Sequence, residues 1–188
     1  WHAAGLMTTF GATSETSLEL RRGSLALYRQ LEKETGQSTG FSPVGFIEVA
    51  SDSDRLEEFR RVTAFNRLHG NDVEEISPAE IKSLFPFVEL EGVLAGFYCP
   101  DDGRINPVDL TMALAKGARL KGAQIFQNTP VEAVLSKHGQ VTGVRTAQGD
   151  IRAEFVVNCA GMWARQLGEL SGVCIPNQAA EHYYLITD

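Results

Sequence analysis

The chain has 188 residues, of which 43% are apolar and 22% charged, the composition of one globular domain or of two small ones. Its 17 Lys and Arg against 24 Asp and Glu give a net charge of −7. This excess of negative charge repels phosphate, which argues against a dominant role in binding nucleic acid or an anionic membrane surface. The three cysteines, Cys99, Cys159 and Cys174, lack metal-ligand spacing, so we expect reduced thiols with packing roles and no metal site.

The apolar runs and the opening residues indicate whether the chain spans a membrane and whether it begins at a natural start. No apolar run approaches the roughly 20 residues that a membrane helix needs, and we therefore predict no membrane span. The sequence opens Trp1-His2-Ala3-Ala4-Gly5 without an initiator Met, a basic region or an apolar signal core. We interpret it as an internal section of a longer protein.

Five helices are predicted from periodic apolar residues and from helix caps. The strongest signal is Ser77-Pro78-Ala79-Glu80, which combines a capping Ser, a Pro at the first helical position and a Glu at the third. In chain order, the predicted helices cover about 15–35, Asp52 or Ser53 to Leu68, 77–85, Asn106-Pro107 to Gly122, and about 163–170.

Short runs of β-branched and aromatic residues predict the strands, which lie at 44–50, 93–98, 123–127, 130–137, 140–147, 150–158 and 182–186. His138-Gly139 and Gln148-Gly149-Asp150 are typical of tight hairpin turns, so 130–158 should form an antiparallel meander. Asp101-Asp102 could suggest a cation site, but the following Gly103 favours a turn. The order of elements predicts a mixed α/β (α+β) fold.

A dinucleotide-binding fold needs a glycine-rich turn between a strand and a helix to hold the pyrophosphate, and no GxGxxG occurs in this sequence. Either the protein binds no dinucleotide, or that turn precedes Trp1 in the longer chain.

Three motifs together resemble the glycine oxidase and sarcosine oxidase branch of the FAD-dependent amine oxidoreductases, and most closely its dimethylglycine and sarcosine dehydrogenases. They are WHAAGL at 1–6, DGRINP at 102–107 and VVNCAGMW at 156–163. The resemblance implies the interior part of a two-domain fold. By that resemblance, 1–42 and 101–172 belong to the flavin domain, the latter with the meander. Residues 43–100 and the strand within 173–188 belong to the substrate domain.

The same resemblance implies a set of cofactor contacts. His2, in the WHAAG motif, would carry FAD through a covalent bond at the 8α position of the flavin. Small residues would let the backbone approach a planar ring at Ala3, Ala4 and Gly5, and at Ala160 and Gly161. Val131 would lie where backbone groups meet the adenine.

On the substrate side, the predicted last strand places His182 and Tyr184 on one face. In the family, this strand lines the substrate side of the flavin, so Tyr184 is expected to shape the pocket for the amine and His182 to tune it. Without the resemblance, the same residues would be read as an aromatic strand packed in a core.

The resemblance implies an enzyme that transfers hydride from a small N-methylated amino acid to FAD and passes electrons to an acceptor protein. Folate could intercept the product in a region outside this chain. The alternatives are a non-catalytic regulatory relative, of the type that serves pyruvate dehydrogenase phosphatase, and an amine oxidase that uses oxygen directly. We expect a cytoplasmic protein in a bacterium and a mitochondrial matrix protein in a eukaryote, and an isolated fragment that is inactive and binds FAD poorly.

Overall fold

The computed structural model describes residues 3–186, and the chain divides after Gln124 into two compact units. The first unit contains β1 (Leu6–Met7), α1 (Glu15–Thr35), β2 (Phe46–Ala50), α2 (Ser53–Leu68), β3 (Glu74–Ile76), α3 (Pro78–Leu84), β4 (Ala95–Cys99), β5 (Gly103–Arg104) and α4 (Pro107–Leu120). The second contains β6 (Val131–Lys137), β7 (Gln140–Thr146), β8 (Gly149–Arg152), a 3-10 turn (Gly161–Trp163) and α5 (Ala164–Glu169). This mixture of helices and antiparallel sheets confirms the predicted fold class. Within 3–186, no helix is both long and apolar enough to cross a bilayer.

The helices of the first unit begin where their capping residues predict. The Ser14 hydroxyl accepts the Ser17 N–H in the first turn of α1, and Gly36 ends that helix with a φ of 65°. In α3, the Ser77 hydroxyl and the Glu80 carboxylate each accept the other residue's N–H, which completes the capping box. Asn106 caps α4 by accepting two N–H groups of its first turn. These short-range bonds fix the helix starts independently of distant contacts.

The main sheet of the first unit is antiparallel, with β4 between β2 and β3. Alternation along β4 puts Phe97 on the face covered by α2, where its ring lies 5.9 Å from that of Phe10 and 5.4 Å from that of Phe59. The core around this aromatic cluster contains Phe10, Ala50, Val73, Ala95, Phe97 and Cys99. A second cluster joins α1 to α4 through Leu31, Leu110 and Ala113.

The second unit is built on the predicted meander, with the strand order β6-β7-β8 and both pairs antiparallel. His138 and Gly139 both have positive φ, 52° and 77°, which is the conformation that a two-residue hairpin turn needs. The meander prediction is therefore confirmed.

Two strand predictions around the meander are wrong. Residues 123–127 form no strand, and the side chain of Phe126 is 63% exposed. The predicted strand 150–158 ends at Arg152, after which Phe155 and Val157 are 84% and 79% exposed. The apolar pattern is present in both places. However, a strand also needs a neighbour for its backbone N–H and C=O groups, and within 3–186 no strand pairs with 123–127 or with 154–158.

The predicted strand at 182–186 is also wrong, because these residues adopt no regular secondary structure. Tyr183 and Leu185 are 89% and 87% exposed, and Tyr184 is 61% exposed. The alternation of side chains is compatible with a strand, but none of the described strands lies beside it.

The cysteines divide between the units. Cys99 is buried in the first core, as expected, whereas Cys159 and Cys174 are exposed. The packing role predicted for those two thiols is therefore wrong within this chain, because the segments that carry them do not enter a core.

Candidate functional site

The small residues that follow His2 show where a glycine is required. His2 itself lies outside the described residues. Ala3 and Ala4 are exposed, whereas Gly5 is buried with a φ of 85°. The Gly5 carbonyl accepts the Ile105 N–H at 2.8 Å, and a Cβ at Gly5 would lie only 2.5 Å from the Ile105 carbonyl oxygen. The close approach that the sequence predicts here is thus made by Ile105.

The chain at 5–10 is held against the turn that follows β4. Leu6 and Met7 pair with Arg104 and Gly103 in the β1–β5 ladder. Beyond this ladder, the carboxylate of Asp102 accepts the Thr9 N–H on one oxygen and the Thr9 hydroxyl on the other, both at 2.8 Å. Asp102 has no exposed surface, and Thr9 is 4% exposed. Asp102 is therefore a buried acid that joins two segments 93 residues apart.

Burial governs the electrostatics around Asp102. Removal from water raises the pKa of the Asp102 carboxyl above its usual value, while the Thr9 and Phe10 N–H groups, the Thr9 hydroxyl and the Cys99 thiol oppose that rise. The pKa of Cys99 rises to about 12, first through burial and then through the negative charge of Asp102. Cys99 is therefore a neutral thiol at physiological pH and is unsuited to act as a nucleophile.

In the second unit, Ala160 and Gly161 form the entry to the 3-10 turn and α5. Gly161 has a φ of 56°, and a Cβ there would meet no atom within 4 Å. Two asparagines shape this entry. The Asn158 side chain accepts the Ala160 N–H at 3.1 Å and donates to the Ala164 carbonyl at 2.8 Å. Asn177 donates to the Gly161 carbonyl at 2.9 Å.

The remaining predicted residues also lie in the second unit. Val131 begins β6 and pairs with Thr146 of β7, with its side chain partly buried. His182 and Tyr184 lie on the exposed segment near the end of the chain. The neighbouring Tyr183 hydroxyl donates to Glu181 at 2.7 Å. The predicted site residues are therefore divided between the units. Ala3, Ala4 and Gly5 lie in the first unit, whereas Ala160 and Gly161 lie in the second.

Comparison with known proteins identifies the family. Residues 1–188, the whole chain, match the family described as DAO, FAD-dependent oxidoreductase. The chain belongs to this family. The resemblance inferred from the WHAAGL, DGRINP and VVNCAGMW motifs is confirmed.

The relatives that are similar to this chain include two dehydrogenases. The chain is 38% identical over 187 residues to rat (Rattus norvegicus) dimethylglycine dehydrogenase, with 100% of the chain and 22% of the relative covered. It is 34% identical over 193 residues to human (Homo sapiens) sarcosine dehydrogenase, covering 100% of the chain and 21% of the relative. The chain thus spans about a fifth of the length of these relatives.

A third relative is a regulatory protein. The chain is 39% identical over 187 residues to the mouse (Mus musculus) pyruvate dehydrogenase phosphatase regulatory subunit, covering 98% of the chain and 21% of the relative. Among solved structures, glycine oxidase from Bacillus cereus superimposes with a TM-score of 0.70 at 29% identity, covering 89% of this chain and 46% of that one. These matches confirm a fold of the glycine oxidase type.

The described residues can be tested for their fit to FAD. At Gly161, the absence of any atom within 4 Å of a Cβ position leaves the backbone open to a ligand. The entry at Ala160 and Gly161 therefore fits close contact with a flat cofactor. At Gly5, the corresponding space is filled by Ile105 and Pro107.

Sequence reasoning missed three residues that organise these segments, namely Thr9, Asp102 and Asn177. Asp102 was interpreted as part of a turn, which it is, but the turn also buries its side chain. The Asp-Gly turn and the DGRINP motif both include Asp102, but neither shows that its side chain is buried. No local pattern connects Asp102 to Thr9, because the two residues are 93 positions apart in the sequence.

Proposed function

We propose that this chain is a section of a dehydrogenase that oxidises an N-methylated amino acid of the dimethylglycine or sarcosine type. The observation that carries the proposal is 38% identity to dimethylglycine dehydrogenase across 100% of the chain. When bound, FAD would supply the acceptor for a hydride from the N-methyl carbon of the neutral amine.

Residues of this chain would contact both the cofactor and the amine substrate. Ala160 and Gly161 would present an open backbone to the cofactor, and Val131 would lie near its adenine. Tyr184 would contact the amine through its ring and hydroxyl, and His182 would tune the polarity of the pocket. The exposure of Tyr184, 61%, leaves its ring accessible for such a contact.

His2 would attach the flavin covalently. The bond would join an imidazole nitrogen of His2 to the 8α position of the flavin and so hold the cofactor to the chain. A neutral imidazole is a competent nucleophile near pH 7. The motif WHAAG supports this role, and the contacts of Gly5 support a defined path for the chain that follows.

The proposal extends to organisation and partners. Residues 1–42 and 101–172 would belong to a flavin domain, and 43–100 and 173–188 to a substrate domain. An acceptor protein would take electrons from the reduced flavin, and folate would intercept the one-carbon product in a region outside this chain. The location would be the mitochondrial matrix in a eukaryote and the cytoplasm in a bacterium.

A regulatory function is the second candidate, because the identity to the phosphatase regulatory subunit, 39%, matches that to the dehydrogenases. The presence of His2 and Tyr184 favours the enzyme. An oxidase that uses oxygen directly is a third candidate. The experiment described next distinguishes it from the other two.

The deciding experiment uses the purified intact protein. Acid precipitation should leave yellow flavin with the polypeptide, and anaerobic addition of dimethylglycine or sarcosine should bleach it. Reduction of an artificial dye without matching oxygen consumption would indicate a dehydrogenase, and oxygen consumption at the dye-reduction rate an oxidase. Protein-bound flavin that no N-methylated amine reduces would favour the regulatory candidate.

His2→Ala should release its flavin on precipitation, while His138→Asn should retain it. His138 is a suitable control because it is an exposed histidine in a hairpin turn with a φ of 52°, a conformation that Asn also adopts. A His2→Ala protein that kept its flavin after precipitation would show that the attachment site is elsewhere.

A further inference from the structure

The segment that follows His2 is fastened along one side. From Gly5 to Met7 it is bound by the Ile105 N–H and by the β1–β5 ladder. Leu6–Thr9 also line an open cleft of about 360 Å³ together with residues of α1. Contacts with 102–105 therefore define the path of Gly5–Met7. Phe10, at the far end of the segment, is also held by Arg21, whose guanidinium donates to the Phe10 carbonyl at 2.7 Å.

The 102–105 stretch is itself anchored to a third segment. Ser42 and Arg104 exchange backbone hydrogen bonds of 2.8 and 3.0 Å, and the Gly45 N–H donates to the Asp102 carbonyl at 2.8 Å. The backbone of Asp102 is thus fixed before its side chain is considered. Its carboxylate extends this rigid support to Thr9.

Burying a carboxylate between two loops is energetically unfavourable, because removing its charge from water costs several kcal/mol unless hydrogen-bond donors compensate. Here both oxygens have donors on the same residue, Thr9, one from the backbone and one from the hydroxyl. This two-point contact restrains the rotation as well as the position of the Thr9 peptide, which a single bond would not do.

We propose that Asp102 and Thr9 form a positioning pair that fixes the backbone following His2, so that covalent flavin attachment depends on a side chain 100 positions away in the sequence. The proposal rests on the proposed function. Neither residue is a catalytic residue, because each acts through the path of the 5–10 segment.

The test compares four variants in the intact protein. Asp102→Ala removes both bonds, and Thr9→Val removes the hydroxyl bond while it keeps the N–H and the side-chain shape. Asp102→Asn provides a rescue, because its amide can accept the Thr9 N–H and donate to the Thr9 hydroxyl oxygen. Asp101→Ala is the control, an exposed neighbour whose side chain is 75% accessible.

The main readout is the fraction of bound flavin that survives acid precipitation, measured on folded protein that contains flavin. A purely structural defect would reduce the yield of folded protein without changing this fraction. Asp102→Ala and Thr9→Val should lower the fraction, Asp102→Asn should restore part of it, and Asp101→Ala should match the parent. Deuterium exchange at the Thr9 and Phe10 amides should accelerate about tenfold in the first two variants as local opening becomes easier.

The outcomes separate this proposal from the proposed function. A parent protein without acid-stable flavin would overturn covalent attachment, whereas the exchange data would still show whether the pair fixes the segment. If Asp102→Ala fails to fold, Thr9→Val carries the test. A folded Thr9→Val protein with parental exchange and a parental acid-stable fraction would overturn the positioning pair.

Discussion

The two units secure their candidate cofactor segments in different ways. In the first, residues 5–10 are fixed by a buried carboxylate and by a ladder, with Asp102 fully buried. In the second, Gly161 is held by exposed or partly exposed asparagine bonds, and its Cβ position is open. One segment is thus fixed by tertiary contacts, whereas the other leaves open space beside its backbone. Substitutions in each unit should therefore have effects of different kinds.

Loss of the aromatic core should have the largest effect. Phe97 is fully buried and lies within 6 Å, ring to ring, of Phe10 and Phe59. Phe97→Ala should reduce the free energy of unfolding by about 3–5 kcal/mol, because it leaves a cavity among rigid neighbours. Tyr183→Ala, at an 89% exposed position of the second unit, should change it by less than about 0.5 kcal/mol. Chemical denaturation measures both; similar losses would remove the contrast in packing.

Two glycines test the contrast between a fixed and an open backbone. A Cβ at Gly103 would lie 2.1 Å from the Ser42 carbonyl oxygen, so Gly103→Ala should destabilise the protein by about 1–3 kcal/mol through overpacking. Gly161→Ala meets no such clash and should cost only about 1 kcal/mol, from its left-handed conformation. Flavin content should nevertheless fall in Gly161→Ala because the methyl group occupies the approach to the backbone. Parental flavin binding in that variant would argue against a cofactor contact there.

The features that sequence reasoning found are those that neighbouring residues determine. The capping box of Ser77 and Glu80 and the turn at His138 and Gly139 are closed by bonds within a few residues, so their positions could be read directly. Asp102 could not be assigned its role because its partner is 93 residues away.

Strands outside the meander were overpredicted for the related reason that pairing is not local. The run at 182–186 has the residue pattern of a strand, but its alternation cannot reveal whether another strand lies beside it. For the candidate site, the small-residue steps at Gly5 and Gly161 were found from sequence. Only the structure showed that Ile105 fills the first and that the second is open.

The exposed end of the second unit provides a test at the level of chemistry. Tyr184→Phe in the intact protein should slow amine-dependent flavin reduction about tenfold, which corresponds to about 1.4 kcal/mol of transition-state stabilisation, because it removes one hydroxyl contact. Flavin content should not change, because the substitution removes only the hydroxyl and keeps the aromatic ring. Rapid-reaction kinetics measures the step. Tyr183→Phe is the matched control, with its hydroxyl bonded to Glu181, and an equal effect in both variants would contradict a specific role for Tyr184.

The smallest effect should be the pH dependence that Asp102 contributes, because hydrogen bonds from Thr9, Phe10 and Cys99 oppose the rise in its pKa that burial causes. Its pKa is raised above 3.8 in the folded protein, so in the pH range just above 3.8 the folded state binds more protons at this site than the unfolded state. Stability from this group must then fall as pH rises through that range.

Asp102→Asn lacks the titration, so the stability of the parent relative to this variant should decline from pH 3.8 upward and then level off. Acids elsewhere, such as Glu75 with its lowered pKa, are present in both proteins and cancel in the difference. Denaturant midpoints measured across pH would show it, and a difference that grows as pH rises would mean that the charged carboxylate is better stabilised in the fold than in water.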